Sequence, residues 1–396
     1  LDLLGNRSLS VIRDALANLE AEGIVIDFLR TDPTQDQATI AALARGDTLG
    51  VFYIESPAMR QLQKKTSRGD FDHIVIHSSI IRPAANRFIE EYVRRLKGGT
   101  YQSLHPRLKT ILAETYGIMC YQEDVSKVAV ALASFSESDA DALRKIIAKK
   151  AGGTKLAAFK EAFYKGCLQN QVPQPVIDEI WAMMLSFDGY SFNKPHSASY
   201  AMVSFQSAYL RVHYPAYFMA AVLSNQGGYY HPLAYISECR RMGLRVLGPD
   251  INMSRYRYYG SGNDVVVGLM AIGGLGKSTA EQIVAEREQR GPFQSLQDVA
   301  RRLWISQDEL AAMTRAGLFD SIATLNRAMQ FRILLTEQSK RNEPELFTSP
   351  EAKSQESRTE QHGSNKTDRE PVTRKLKAQE TRMELESRTR EYETLG

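Results

Sequence analysis

Apolar residues recur at helical spacing in SLSVIRDALANLEAEG, where Leu9, Ile12, Leu16 and Leu19 share one face and Gly23 ends the run. Before it, LDLLG reads as a short apolar strand carrying one acid, Asp2. Helical and strand-like pieces alternate up to about residue 100, and GVFYIES (50–56) is expected to be a strand. From Pro106 to about residue 226 the pattern is predominantly helical, with Pro/Gly/Asn-rich turns; GIMCYQ suits an extended segment. Between residues 240 and 320 a strand-like VVVGL is followed by a Gly-rich hairpin and several short helical patterns. From about Asn342 the chain is rich in Glu, Lys, Ser, Thr, Gln and Arg. That stretch holds too little apolar surface to offset its ordering entropy, so a disordered segment or a marginal charged helix is expected. No repeat at solenoid periods is present. The expected class is mainly α with short β elements (α+β).

Length and composition narrow this only modestly. A chain of 396 residues suggests two or three domains, and 43% hydrophobic residues is ordinary for a globular protein. A net charge of +4 permits nucleic acid as a partner without requiring it. Cys120, Cys167 and Cys239 are far apart and form no CxxC or Cys/His spacing, so buried reduced thiols in a cytosolic setting are expected. No apolar run reaches the length of a membrane span, and the N-terminus lacks the layout of a signal peptide. The abrupt start, with no initiator Met, suggests a piece of a longer protein.

Three stretches carry candidate chemistry. In SESDADALRKIIAKKAGG (136–153), Asp139 or Ser138 can cap a helix that Gly152 and Gly153 end. Lys145 and Lys149 lie one turn apart, with Arg144 and Lys150 beside them. Like charges at this spacing repel weakly unless an anion lies across them; alternatively they only complement the helix dipole. In the second stretch, FDGYSFNKPHSASYAMVSFQSAYL, a turn leads through Asn193, Lys194, Pro195 and His196 into a long helix beginning near Ser197. Free N–H groups there, beside a Lys and a His, would suit a triphosphate. Pro195 fits a first turn because it has no N–H to satisfy. Tyr200, Phe205 and Tyr209 follow at near-helical spacing, suited to stacking on a base or to core packing. The third stretch, ETYGIMCYQEDV, sets Tyr116, Tyr121, Gln122 and Glu123 at a junction where they line a cleft or Glu123 caps the next helix.

AIGGLGKST (271–279) nearly spells a phosphate-binding loop, but Ala271 stands where the first glycine belongs. The residues after it read as short helices (SLQDVARRLW, SQDELAAMTRAGLF), so the further parallel strands of such a domain have no place. A helix-hairpin-helix fits better. Its tight turn, Gly274-Leu275-Gly276, would bring backbone N–H groups to a nucleic-acid phosphate, and Lys277 would add charge without reading sequence.

Together, LDLLGNRSLSVI, GVFYIESPAMR, ETYGIMCYQEDV, DALRKIIAKK, GYSFNKPHSASYAMVSFQSAYL and VVVGLMAIGGLGKSTAEQIV resemble, in order and spacing, the catalytic alpha subunits of bacterial DNA polymerase III, the family C replicative polymerases. The resemblance spans roughly residues 1–340. It implies the end of a palm (1–30), fingers (31–240), a helix-hairpin-helix DNA-binding region (241–341) and a charged linker (342–396). Family chemistry is nucleotidyl transfer by two Mg2+ ions on palm carboxylates. Asp2 matches the third of these acids, as catalytic residue and metal ligand; the other two belong to a part of the palm that this sequence does not contain. The chain alone is therefore expected not to polymerise DNA.

Arg144, Lys145 and Lys149 match the family's basic helix, and Asn193, Lys194 and His196 its Asn-Lys-x-His turn, which implies binding of the incoming deoxynucleoside triphosphate. Gly274, Gly276 and Lys277 match its hold on template-primer DNA. EPELF (343–347) resembles its sliding-clamp peptide, with Leu346 and Phe347 as anchors and Glu343 in place of Gln. The implied partners are DNA, nucleotides, the clamp and other holoenzyme subunits, in a bacterial cytoplasm. Two departures stand out: Pro195 replaces a frequent Ser, and Arg82-Pro83-Ala84-Ala85 replaces Arg-Pro-Gly-Pro. The alternative is a DNA-binding module without catalysis.

Overall fold

The computed structural model describes residues 7–82, 85–149, 153–187, 193–226 and 228–341. The chain divides into two compact units: Leu1–Arg245 with Gly260–Val265, and Val246–Tyr259 with Val266–Gly396. The architecture is mainly α with a small sheet.

The first unit opens with α1 (Arg7–Glu20), whose Val11, Ile12, Ala15 and Leu19 are buried. Four short helices follow: α2 (Gln37–Ala44), α3 (Pro57–Thr66), α4 (Phe71–Ile80) and α5 (Asn86–Leu96). Their starts are set by side chains that accept an orphan backbone N–H, Asp36 for α2, Ser56 for α3 and Asp70 for α4. Next come α6 (Leu108–Ile111), α7 (Gln122–Ala133), α8 (Glu137–Ala148), α9 (Thr154–Gln169), α10 (Gln174–Leu185), α11 (Lys194–His213), α12 (Pro215–Asn225) and α13 (Pro232–Arg241). Residues 216–224 of α12 are all buried, as a helix that is apolar all round should be. It packs on α1, α11 and α13. Each large side chain buried there contributes about 1.5–3 kcal/mol. Arg211 of α11 is buried and bonds the Leu49 carbonyl, Asp47 and Glu238, which ties α11 to α13 and to the turn before α3. Cys120, Cys167 and Cys239 are all buried free thiols.

The expected strand over GVFYIES is a turn, and no strand precedes residue 245 among the described residues. Val51 and Ile54 face the core at a spacing of three, not two. Gly50 and Tyr53 have φ of +81° and +68°, outside any strand. Thr48 Oγ1 donates to the Ile54 carbonyl at 2.9 Å, and Glu55 accepts the Gly50 N–H at 2.8 Å, closing the turn from both sides. GIMCYQ forms no ladder: residues 118–120 belong to neither helix nor strand.

Three short strands, β1 (Arg245–Leu247), β2 (Tyr259–Ser261) and β3 (Asp264–Val266), pair in the order β1-β3-β2, with β3 lying in the expected VVVGL region. The helices of the second unit are α14 (Lys277–Arg290), α15 (Leu296–Arg302), α16 (Gln307–Arg315) and α17 (Arg327–Arg341). Its core gathers Ile283, Phe293, Val299, Leu310, Met313 and Phe319 with Leu334 from α17. Asn252 locks the loop before α15 by exchanging two hydrogen bonds with the Phe293 backbone, at 2.7 and 2.8 Å.

Candidate functional site

The start of α11 is built by Asn193, whose Oδ1 accepts the His196 N–H at 2.8 Å. The helix thus begins at Lys194, three residues before the expected start, with Pro195 in its first turn. The His196 ring packs on Tyr200 with centroids 4.1 Å apart. Lys194 is held by acids. Its Nζ lies 2.5 Å from Glu114 Oε2, its backbone N–H points to Glu123 Oε2 at 3.4 Å, and its ammonium sits 5.2 Å from the centre of the Tyr121 ring. Phe205 is buried in the core, so of the three aromatics it has no route to a base.

Beneath this turn, the chain from Tyr116 to Tyr121 is fixed by buried Asp124. Its Oδ2 accepts the N–H groups of Cys120 and Tyr121, both at 2.9 Å, so Asp124, and not Glu123, closes the start of α7. Burial pushes the Asp124 carboxyl up to about 6, against the pull of those two N–H groups. Arg82 is also buried. It donates to the Met119 carbonyl at 3.1 Å and stacks on the Phe187 ring at 3.6 Å. Burial lowers its guanidinium to about 10.

The second basic cluster lies on α8. Ser136 caps this helix by accepting the Asp139 N–H at 3.1 Å, two or three residues before the expected Ser138 or Asp139. Arg144 and Lys145 both reach back to Asp141, at 2.6 and 2.7 Å, and these bonds, the one from Lys145 first, hold the Asp141 carboxyl below its usual range. Lys149 is the C-cap, is exposed and makes no ion pair among the described residues. The two clusters share α7 as support: Glu123 on its first turn meets Lys194, and Ser126 Oγ donates to the Ala140 carbonyl of α8 at 3.2 Å.

In the second unit the turn before α14 is as tight as expected, with Gly274 at φ +92° and the Leu275 N–H bonded to the Ile272 carbonyl at 3.1 Å. Gly276 caps α14 without a side chain of its own. Its N–H donates to Glu309 Oε1 at 3.0 Å, and the same carboxylate accepts from Thr279 and Ser306 at 2.7 and 2.8 Å. Lys277 pairs with Glu281 at 3.6 Å and lies 5.7 Å from the centre of the Tyr256 ring. No strand follows Lys277 among the described residues, which removes the phosphate-loop reading of AIGGLGKST.

Asp2, Leu346, Phe347, Pro83, Ala84, Lys150, Gly152 and the turn at 188–192 lie outside the described residues. Among the described residues no group of three or more His, Cys, Asp or Glu side chains could hold a metal, and no helix is long and apolar enough to cross a membrane. The partners of four side chains that shape these sites were not assigned from the sequence. The pairing of Asp141 was visible in its spacing of three and four from Arg144 and Lys145. Glu114, Arg82 and Glu309 act across 30 or more residues, and no local pattern marks them.

Comparison with known proteins accounts for both units. The bacterial DNA polymerase III alpha subunit finger domain matches residues 8–171, and a helix-hairpin-helix motif matches residues 243–329. The chain is 36% identical over 334 residues to the DNA polymerase III subunit alpha of Neisseria meningitidis, covering 83% of this chain and 29% of that protein. It is 34% identical over 341 residues to that of Mycobacterium tuberculosis, covering 83% and 29%. The Thermus aquaticus subunit is 33% identical over 340 residues, with 83% and 28% covered. The chain therefore spans less than a third of the length of these relatives. From the finger-domain match, the helix-hairpin-helix match and this identity along most of its length, the chain belongs to the family of bacterial DNA polymerase III alpha subunits.

Proposed function

We propose that this chain is the nucleotide-binding fingers and the DNA-holding region of a DNA-directed DNA polymerase acting in replication. The observation that carries this reading is the placement of two basic clusters, Arg144-Lys145-Lys149 and Asn193-Lys194-His196, on helices that share α7 as support; α7 and the first cluster fall within the finger-domain match over residues 8–171, and the second cluster follows it. The clusters take the phosphates of an incoming deoxynucleoside triphosphate. Lys149 supplies an exposed charge, and the start of α11 supplies N–H groups and the positive end of its dipole. In the second unit the Gly274–Lys277 hairpin holds the backbone of template-primer DNA, a contact that positions without reading sequence.

Two Mg2+ ions would activate the primer hydroxyl and neutralise the triphosphate. Asp2 is the one residue of this chain proposed as their ligand, so the chain binds nucleotide without incorporating it. Leu346 and Phe347 are proposed as anchors for a sliding clamp, within the larger replicase and in the bacterial cytoplasm. Domain limits of 1–30, 31–240, 241–341 and 342–396 go with this reading.

The test is nucleotide binding by the chain and its variants. Lys149→Ala and Lys194→Ala should each weaken triphosphate binding about threefold to tenfold, as loss of a charge-assisted contact does. Unchanged affinity in both removes the assignment. Duplex DNA binding should fall with salt, and Lys277→Ala should lower the salt slope by about one phosphate contact. Template-dependent incorporation by the chain alone would show that its active site is complete without further acids.

A further inference from the structure

We infer that Glu114 and Asp141 are anion place-holders: each occupies a phosphate-binding base while no nucleotide is present, and an incoming triphosphate must displace both. The inference rests on the reading of the two clusters as the triphosphate site. Three of the four cations named there are not waiting in solvent. Lys194 Nζ holds Glu114 at 2.5 Å, and Arg144 and Lys145 share the two oxygens of Asp141 at 2.6 and 2.7 Å. A carboxylate that bridges two adjacent cations one turn further along its helix is an internal stand-in for a phosphate oxygen pair. Of these four, Lys149 alone makes no ion pair among the described residues.

The geometry suits exchange rather than a fixed structural role. Glu114 and Asp141 have 48% and 41% of their side chains exposed, and Lys194 and Lys145 have 47% and 61%. Exposed pairs of this kind are weak. They contrast with the buried Arg211–Glu238 pair in the same unit, where either group left alone would be stranded. A weak anion that reaches one cluster replaces one carboxylate and gains little. A triphosphate that spans both clusters carries more charge than the two carboxylates it displaces, and it adds Lys149. The place-holders therefore lower the affinity for all anions while leaving the longest polyphosphate favoured. As a polyphosphate leaves, they return to the bases and speed its departure.

The experiment is titration of the purified chain with a deoxynucleoside triphosphate in Mg2+. Glu114→Gln and Asp141→Asn, which keep shape and remove charge, should each tighten binding about twofold to fivefold, mainly through slower release. The double variant should show about the product of the two effects. In a Lys194→Ala background, Glu114→Gln should have no effect, because the base it guards is gone. The exposed acid Glu179, on α10, serves as a control: Glu179→Gln should leave affinity unchanged. If Glu114→Gln or Asp141→Asn leaves binding unchanged or loosens it, the inference fails. It also fails if Glu179→Gln tightens binding equally, since the effect would then be one of net charge. Weakening by Lys194→Ala with an inert Glu114→Gln would keep the nucleotide site and discard the place-holder. Absence of triphosphate binding by every variant and by the wild-type chain would discard both.

Discussion

At the scale of single residues, two buried titratable groups of the first unit pull its stability in opposite directions with pH. His77 is fully buried on α4, its ring packed against His73 and Tyr92. Burial first, then the neighbouring His73, pushes its imidazole down to about 3. Between pH 6.5 and 3 the unfolded chain takes up a proton that the native state refuses, so stability falls as pH falls through that window. Asp124 is the reverse case. With its carboxyl raised to about 6, the native state binds the proton first between pH 6 and 4, and acidification there relieves the cost of a buried charge. Each unit of separation is worth about 1.4 kcal/mol. We expect His77→Phe to lose less stability than the wild type between pH 7 and 4.5, and Asp124→Asn to lose more, as read by the urea midpoint at each pH. The opposite ordering would mean that neither group controls the acid limb. Arg82 offers a separate test. Its plane stacks on Phe187 while its fork bonds Met119, and a lysine can do only one of these. Arg82→Lys should cost about 1–3 kcal/mol in urea unfolding.

At the scale of elements, what was legible followed from local patterns. Near-helical spacing marked α1 and α11, and cap candidates with terminal glycines marked α8; each of the three buries some positions and leaves others in water. The turn at GVFYIES was misread because an apolar run looks alike in a strand and in a turn that buries only Val51 and Ile54; the deciding features, a left-handed Tyr53 and the Glu55–Gly50 bond, depend on tertiary packing. Cap positions were missed by two or three residues at Ser136 and by one at Asp124, since several polar side chains stand around the start of each helix and only geometry selects among them. The basic clusters themselves were plain in the sequence. Their acidic partners were plain only on α8, because the Glu114–Lys194 pair joins positions 80 residues apart. Asn193 is both a match to the family turn and the cap of α11. Asn193→Ala should therefore lower stability by about 1 kcal/mol, whereas Asn193→Asp should retain most of the cap. Thermal denaturation of the two variants checks this, and equal loss in both would show that the amide does more than accept one N–H.

At the scale of the whole chain, each unit has its own buried core, so damage in one should be read mainly there. Phe319 is fully buried among Leu310, Met313 and Leu334 of the second unit. Phe319→Ala should cost about 3–5 kcal/mol, since a large cavity is left among side chains that relax only partly. In native-state hydrogen exchange the protection of α14–α17 should drop by several orders of magnitude, while α11 and α12 keep theirs. Loss of protection in α12 to the same degree would show that the two cores unfold as one. The distribution of sulfur gives this difference a chemical handle. All three cysteines, Cys120, Cys167 and Cys239, are buried in the first unit, and the sequence from Val246 onward contains none. A thiol reagent added to the native chain therefore times the opening of one unit and is blind to the other. Cys120 adjoins Tyr121, whose ring lies against Lys194, so its rate of modification becomes a clock for opening of that segment. A single cysteine introduced on the second unit would react at once, against a silent native background.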